Sequence, residues 1–225
     1  MLPQQDDLTC GPTCLEAIYR YYGNRIKLDQ LVDNVFSLPD GGTLAVWLAC
    51  DALKRGFDAQ ILTYNLHLFD PTWFEDGNSI SDRLTEQLQY KHDKKLQLAT
   101  QGYLEFLRLG GSLEFKELNA TLIRKFLKNG HPILTGLSAT YLYGCAREHK
   151  DDYDSLRGHP AGHFVVLSGY DKDKRTVSVA DPLLDNPKFS GQYYDVGIAR
   201  LIGAILLGVL THDANLLIVR PKAKR

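Results

Sequence analysis

The sequence predicts an α+β fold in which N-terminal helices pack on a C-terminal antiparallel sheet. Apolar residues recur at helical spacing near the start of the chain, and two adjacent apolar runs near residue 170 have the pattern of a β-hairpin. Helical patterns also precede most strand patterns, which favours α+β over alternating βα units. We expect one domain over residues 1–225, with a helical part at about 1–130 and a sheet part at about 131–225.

The beginning of the chain is predicted to be helical. A helix is expected to begin at Cys10, with Thr9 as its N-cap, and to stop before Gly23, because apolar residues between them recur every three or four positions. Two more helices are expected over residues 28–36 and 43–54, with a turn at residues 39–42 between them.

The middle of the chain has weaker patterns. Residues 57–64 are typical of a short strand, and residues 80–108 are mostly helical in pattern. A helix over residues 119–128 is followed by a buried strand within residues 131–138. The loop predicted over residues 139–160 has the length of a functional loop.

The C-terminal part is predicted to be mainly strands. Residues 163–170 and 176–180 form the expected hairpin, since a short polar turn separates two apolar runs. A helix over residues 196–207 and a last strand over residues 216–220 complete the pattern.

Composition and charge exclude several classes of protein. With 26 basic and 27 acidic residues, the net charge of -1 provides no field that attracts nucleic acid. The longest apolar run, residues 201–210, is too short for a membrane span. The N-terminus lacks the basic and apolar segments of a secretory signal, and the four cysteines are too few for a disulfide scaffold. We therefore expect a cytoplasmic protein with reduced thiols.

Cys10 is the candidate nucleophile. At the first turn of a helix, its thiolate would lie beside unpaired backbone N–H groups and the positive end of the helix dipole. Gly11 has no side chain to obstruct a substrate, and Pro12 suits the first turn because it has no N–H group. For Cys10 taken alone, a buried inert cysteine is the alternative.

His163 and Asp181 are the candidate base and its partner. A thiol nucleophile needs an imidazole to accept its proton, and the imidazole needs an acceptor that fixes its tautomer. His163 opens one strand of the predicted hairpin and Asp181 follows the other, so the two residues are expected at the same end of the sheet. Without the other motifs, a structural His and a turn Asp are the commoner interpretations.

Other residues are candidates for contact with the substrate. Acyl transfer needs donors for the developing oxyanion, and Gln4, six residues before Cys10, or its neighbour Gln5 offers a side-chain amide. Tyr141 and Tyr143 are expected to line the cleft if the strand before them ends near the hairpin. The candidate substrate-binding residues are Gly11, Tyr141 and Gly162.

Together these motifs resemble the bacteriocin-processing peptidases that cleave after double-glycine leaders, a family of papain-like cysteine peptidases. Its signature has a Gln six residues before a Cys-Gly pair, then a helix that ends in an aromatic-Gly step. A His later begins a short apolar strand, and an Asp-Pro pair follows some seventeen to nineteen residues after it. The matching residues are Gln4, Cys10, Gly11, Tyr22, Gly23, His163, Phe164, Val165, Val166, Asp181 and Pro182.

The resemblance implies a papain-like fold and hydrolysis of an amide bond through a thioester. It implies that Cys10 attacks, His163 exchanges the proton, Asp181 orients His163, and Gln4 helps to hold the oxyanion. A peptide or protein is the expected substrate, and no cofactor takes part. The family is usually fused to an exporter and an ATPase. Since the sequence has neither, we expect a stand-alone bacterial relative of undefined substrate and oligomeric state.

Three alternatives remain open at this point. The first is a non-catalytic relative that binds peptides, and the second is acyl transfer to an amine with the same residues. The third is a zinc site of the Cys2His2 type, because Cys10 and Cys14 are four residues apart and so are His159 and His163. Neither Gln4 nor Asp181 has a role in the zinc interpretation.

Overall fold

The computed structural model describes residues 1–39, 41–75, 79–150 and 152–222. In these residues the α-helices are α1 (Cys10–Tyr21), α2 (Leu28–Asn34), α3 (Ala45–Lys54), α4 (Ile80–Gln87), α5 (Lys94–Arg108), α6 (Ala120–Lys128) and α7 (Ile198–Leu207). The strands are β1 (Phe57–Thr63), β2 (Ser112–Glu114), β3 (Ile133–Ser138), β4 (Glu148–His149), β5 (Asp152–Tyr153), β6 (Gly162–Asp171), β7 (Thr176–Ala180), β8 (Tyr193–Gly197) and β9 (Asn215–Pro221). The predicted α+β class is therefore confirmed.

The main sheet contains strands from both halves of the chain. Within the described residues its order is β2-β1-β9-β3-β6-β7-β8, and β4 pairs with β5 in a separate hairpin. The prediction of a helical part up to residue 130 is wrong in this respect, because β1 lies along β9 with Ile61 opposite Leu217. The predicted antiparallel pairing of the C-terminal strands is confirmed, and β1 and β2 of the N-terminal half add a parallel pair at one edge.

Helices cover both faces of this sheet. Buried residues of α1, α3 and α5 form one core with Ile61, Val166 and Leu217, whereas residues of α6 and α7 form a second core with Leu167 and Ile218. The six residues of β3 are all buried, because this strand lies in the middle of the sheet and helices cover both of its faces.

Most element predictions are confirmed, with changes at their ends. The first helix begins at Cys10, but Thr9 does not cap it: its side-chain oxygen instead accepts hydrogen bonds from the backbone N–H groups of Gln5 and Asp6 at 3.0 and 3.2 Å. The helix predicted from residue 196 begins at Ile198, because the preceding residues form β8, which the sequence analysis missed. Asp40, in the predicted turn, lies outside the described residues.

The longest apolar run belongs to the core. Most of residues 201–210 lie in α7, where Leu201, Ala204 and Ile205 are buried against the sheet. Across the described ranges, no helix has both the length and the apolar character needed to cross a bilayer.

Gly11→Ala is expected to destabilise the fold by about 1–3 kcal/mol, the usual cost of overpacking a core. A Cβ at this position would lie 2.9 Å from Thr43 Cγ2 and 3.2 Å from Phe164 Cδ2. Urea denaturation measures the loss. Gly169→Ala is the control, because its Cβ would meet only Ser178, at 3.3 Å or more. A loss at Gly11 no larger than the loss at Gly169 would contradict this packing role.

Candidate active site

Cys10, His163 and Asp181 come together from three different elements. Cys10 is the first residue of α1, His163 is the second residue of β6, and Asp181 directly follows β7. Because Val166 pairs with Ala180 in an antiparallel ladder, β6 begins where β7 ends.

The docking of α1 on β6 explains why Cys10 lies beside His163. The thiol of Cys14, one helical turn after Cys10, donates to the backbone oxygen of Phe164, with the two atoms 3.3 Å apart. This contact fixes the start of α1 next to the start of β6. Cys10 and His163 each keep 8% of their surface exposed, so a small reagent can still reach them.

His163 connects the other two residues. Its Nε2 lies 2.8 Å from Asp181 Oδ1, and its ring also interacts electrostatically with Cys10. Since Nε2 is engaged by Asp181, Nδ1 is the ring nitrogen left to exchange a proton with a thiol. Burial lowers the pKa of His163, but the hydrogen bonds and charges of Asp181 and Cys10 outweigh it and raise the pKa to about 10.

Asp181 is a fully buried carboxylate. Burial raises its pKa, but hydrogen bonds from His163, Tyr194 and Tyr143 outweigh that effect and hold the pKa below its ordinary value. The group therefore stays charged and can stabilise a protonated His163.

The N-terminal segment brings Gln4 to the same place. The backbone N–H of Gln4 donates to the backbone oxygen of Pro182 at 3.0 Å, and the side chain of Gln192 donates to Leu2 in the same segment. Gln4 lines a cavity together with His163, and its Oε1 is buried without a hydrogen-bond partner among the described residues. The side chain of Gln5 instead donates to Asp29, so Gln4 is the amide beside His163.

Two neighbouring cavities are both lined by His163. One, of about 230 Å³, is also lined by Cys10, and the other, of about 290 Å³, is lined by Gln4. Both share Gly162 and Asp7. The two cavities together form a cleft that passes His163.

Gly11, Tyr141 and Gly162 were expected to contact the substrate, but Gly11 and Tyr141 do not line this cleft. The side of Gly11 that would carry a Cβ faces Thr43, Phe164 and Leu48, so packing explains the glycine. Tyr141 lines a different cavity and lies under the guanidinium of Arg200, because a π-helical turn over Thr140–Gly144 directs it towards α7. The third, Gly162, lines both cavities of the cleft, as does its neighbour His163.

The four residues of the alternative zinc site do not form a ligand set. Cys14 is buried and its thiol is bonded to Phe164, and burial together with the charge of Cys10 raises the pKa of Cys14, which opposes the thiolate that a metal needs. His159 is exposed and its backbone bridges to Glu148. In the part of the chain that the structure describes, no three His, Cys, Asp or Glu side chains are grouped to hold a metal ion.

Sequence reasoning missed two side chains near the site. Tyr194 contacts Asp181, and it would have been found if β8 had been predicted, because alternation places Tyr194 and Val196 on the inner face. Asp213 lines the cavity that contains Cys10 and accepts a hydrogen bond from the backbone N–H of Ala45 at 2.8 Å. No sequence pattern indicates this role for Asp213.

Comparisons with known proteins agree with this fold. The sequence model of the "Peptidase_C39 like family" matches residues 1–199. A crystal structure of a protein described as a C39-like peptidase, from Bacillus anthracis, aligns at 17% identity over 100% of this chain and 96% of that chain, with a TM-score of 0.51. This likeness confirms the predicted papain-like α+β fold.

A second solved structure is the peptidase domain of Streptococcus ComA, described as a bifunctional ABC transporter of a quorum-sensing pathway. It aligns at 13% identity over 98% of this chain and 97% of that chain, with a TM-score of 0.45. No curated protein matches the sequence significantly.

Asp213 is expected to make the stability of the fold depend on pH. Burial raises its pKa from 3.8 to about 7 in the folded protein. Between these pH values the folded state binds more protons than the unfolded chain, so the contribution of Asp213 to the free energy of unfolding falls as pH rises. Asp213→Asn cannot ionise, and we expect it to remove about 2–3 kcal/mol of the decline between about pH 5 and about pH 8, since about two units separate pH 5 from the folded pKa and one unit corresponds to about 1.4 kcal/mol.

Urea denaturation of the wild type and Asp213→Asn at about pH 5 and about pH 8 measures this difference. The exposed Asp58, changed to Asn, controls for a general effect of removing a carboxylate. If the decline between the two pH values is as steep in Asp213→Asn as in the wild type, the assignment to Asp213 is wrong.

Proposed function

The chain belongs to the family of C39-like peptidases, and we propose that it is a cysteine peptidase or amide hydrolase with Cys10, His163 and Asp181 as its catalytic triad. One observation carries this proposal. His163 lies between Cys10 and the buried Asp181: its Nε2 is 2.8 Å from Asp181 Oδ1, its ring interacts with Cys10, and Cys10 lines a cavity. A nucleophile, a base and a group that orients the base are the parts that acyl transfer through a thiol requires.

The reaction proceeds by attack of the Cys10 thiolate on the carbonyl carbon of a peptide bond. The protonated His163 then gives its proton to the leaving amine, and the acyl group remains on Cys10 as a thioester. In the second half, His163 accepts a proton from water as the water attacks the thioester, which releases the acid and restores Cys10. Asp181 holds the ring of His163 in one orientation through both steps and balances its positive charge.

The oxyanion of each tetrahedral intermediate needs donors that are already in place. The backbone N–H of Cys10 is suitable because the first N–H groups of an α-helix have no partner within the helix. The side-chain amide of Gln4 is the second donor, since its backbone is fixed to Pro182, directly after Asp181.

The whole chain acts as one domain, because both halves supply strands to the sheet that carries His163.

The expected substrate is a peptide or a protein segment that enters the cleft in an extended form. The double-glycine leaders cut by the peptidases that the sequence resembles are not assigned to this chain. No cofactor has a role in the proposed steps.

We expect Cys10→Ala to abolish peptide hydrolysis while the fold remains intact, because no other group replaces the thiolate in forming the thioester. Hydrolysis is measured with a library of internally quenched fluorescent peptides, and mass spectrometry identifies the cleavage sites.

Gln4→Ala should lower kcat by about 100-fold or more with a smaller effect on KM, since it removes an oxyanion donor. Circular dichroism checks the fold of each variant.

Cys14→Ala is the matched control, because this cysteine lies on the same helix but is buried with its thiol on Phe164. It should keep activity near that of the wild type. A Cys14→Ala protein that folds but is inactive would contradict the choice of nucleophile. If the folded wild type cleaves no peptide in the library, a non-catalytic peptide-binding role replaces this proposal.

A further inference from the structure

The carboxylate of Asp181 accepts more hydrogen bonds than the orientation of His163 requires. Its Oδ1 accepts from His163 Nε2 at 2.8 Å and from the backbone N–H of Leu183 at 2.9 Å. Its Oδ2 accepts from the hydroxyl groups of Tyr143 and Tyr194, both at 2.7 Å. Within the described residues these donors fill the acceptor positions of both carboxylate oxygens.

The two hydroxyl groups reach Asp181 from different parts of the chain. β3 ends at Ser138, which pairs with Gly162 beside His163, and the π-helical turn after it brings Tyr143 to the carboxylate. Tyr194 lies in β8, opposite Val179 of β7. Two elements that are distant in sequence place their hydroxyl groups on one carboxylate oxygen. This arrangement therefore depends on the tertiary fold and not on a local sequence pattern.

A third aromatic ring fixes the hydroxyl groups in place. The ring of Phe189 stacks on Tyr194 with centroids 3.8 Å apart and planes 6° apart, and it lies 6.3 Å from the ring of Tyr143. Burial and the charge of Asp181 raise the pKa of both tyrosines, so their hydroxyl groups stay protonated and remain donors.

The charge balance at Asp181 differs from that at Asp51, another buried carboxylate in the chain. Asp51 accepts from the hydroxyl of Tyr19 at 2.7 Å and is also paired with the guanidinium of Arg55 at 2.6 Å. At Asp181 the ion-pair partner is His163, and the tyrosines are neutral. Removing a tyrosine hydroxyl therefore leaves His163 to balance more of the negative charge.

We propose that Tyr143 and Tyr194 are positioning residues which act through Asp181 to set how tightly His163 holds its proton. Neutral donors on Oδ2 draw negative charge away from Oδ1, which weakens the pull of the carboxylate on the N–H group of His163. Without them, His163 holds its proton more tightly and transfers it less readily to a leaving amine. The consequence for proton transfer to a leaving amine rests on the proposed function, whereas the effect of the tyrosines on the pKa of His163 does not.

The test is a titration of His163 by NMR in protein carrying Cys10→Ala, so that no thiol lies beside the imidazole. His163→Gln identifies the signal. We expect Tyr143→Phe and Tyr194→Phe each to raise the pKa of His163 by roughly half a unit to one unit, because each removes a hydrogen bond to a charged group. Both changes together should raise it further.

Tyr19→Phe is the matched control, since it removes a buried hydroxyl at the same distance from a different carboxylate, that of Asp51. It should leave the pKa of His163 unchanged. If one of Tyr143→Phe and Tyr194→Phe does not fold, the pKa of His163 in the other variant is sufficient for the test. An unchanged pKa in the folded variants overturns the proposal, and so does a lowered pKa, which would mean that the tyrosines only hold Asp181 in place.

The result is independent of turnover. If the peptide library shows that Cys10 is not a nucleophile, the titration can still show coupling between the tyrosines and His163. If hydrolysis depends on Cys10 but the titration shows no upward shift, only the role of the tyrosines fails.

Discussion

The buried negative charge of Asp181 is the constraint on which the rest of the site depends. A carboxylate with no exposed surface is tolerated only when donors surround it. Its donors are His163 on β6, Tyr194 on β8, Tyr143 after β3, and the backbone N–H of Leu183. Pairing of these strands therefore assembles the site and satisfies the charge at the same time.

Two cysteines on one helix show how position decides chemistry. Cys10, at the start of α1, lies beside His163 and lines the cleft, whereas Cys14 is fully buried and its thiol is bonded to Phe164. Burial raises the pKa of Cys14 and keeps its thiol unreactive. Cys14 thus anchors the helix that presents Cys10, the proposed nucleophile.

Local sequence patterns predicted the parts of the site that lie at the ends of regular elements. The helix at Cys10 and the hairpin that bears His163 and Asp181 follow from periodicity and turn residues. The partners of Asp181 could not be predicted in this way, because Tyr143 lies in an irregular turn and Tyr194 in a strand that was read as loop. Their meeting depends on pairing between strands distant in sequence. The position of Gln4 depends on a contact with Pro182 that local patterns do not indicate.

The proposed pairing of Cys10 with His163 is tested by the rate of alkylation by iodoacetamide at about pH 6, where ordinary thiols are almost fully protonated. Peptide mapping after brief treatment identifies the labelled cysteine. We expect rapid labelling at Cys10 in the wild type, with Cys14 unlabelled, and a large fall in the Cys10 rate in His163→Ala. Slow labelling of Cys10 in the wild type, or a rate that does not change in His163→Ala, would contradict an activated thiolate and imidazole pair.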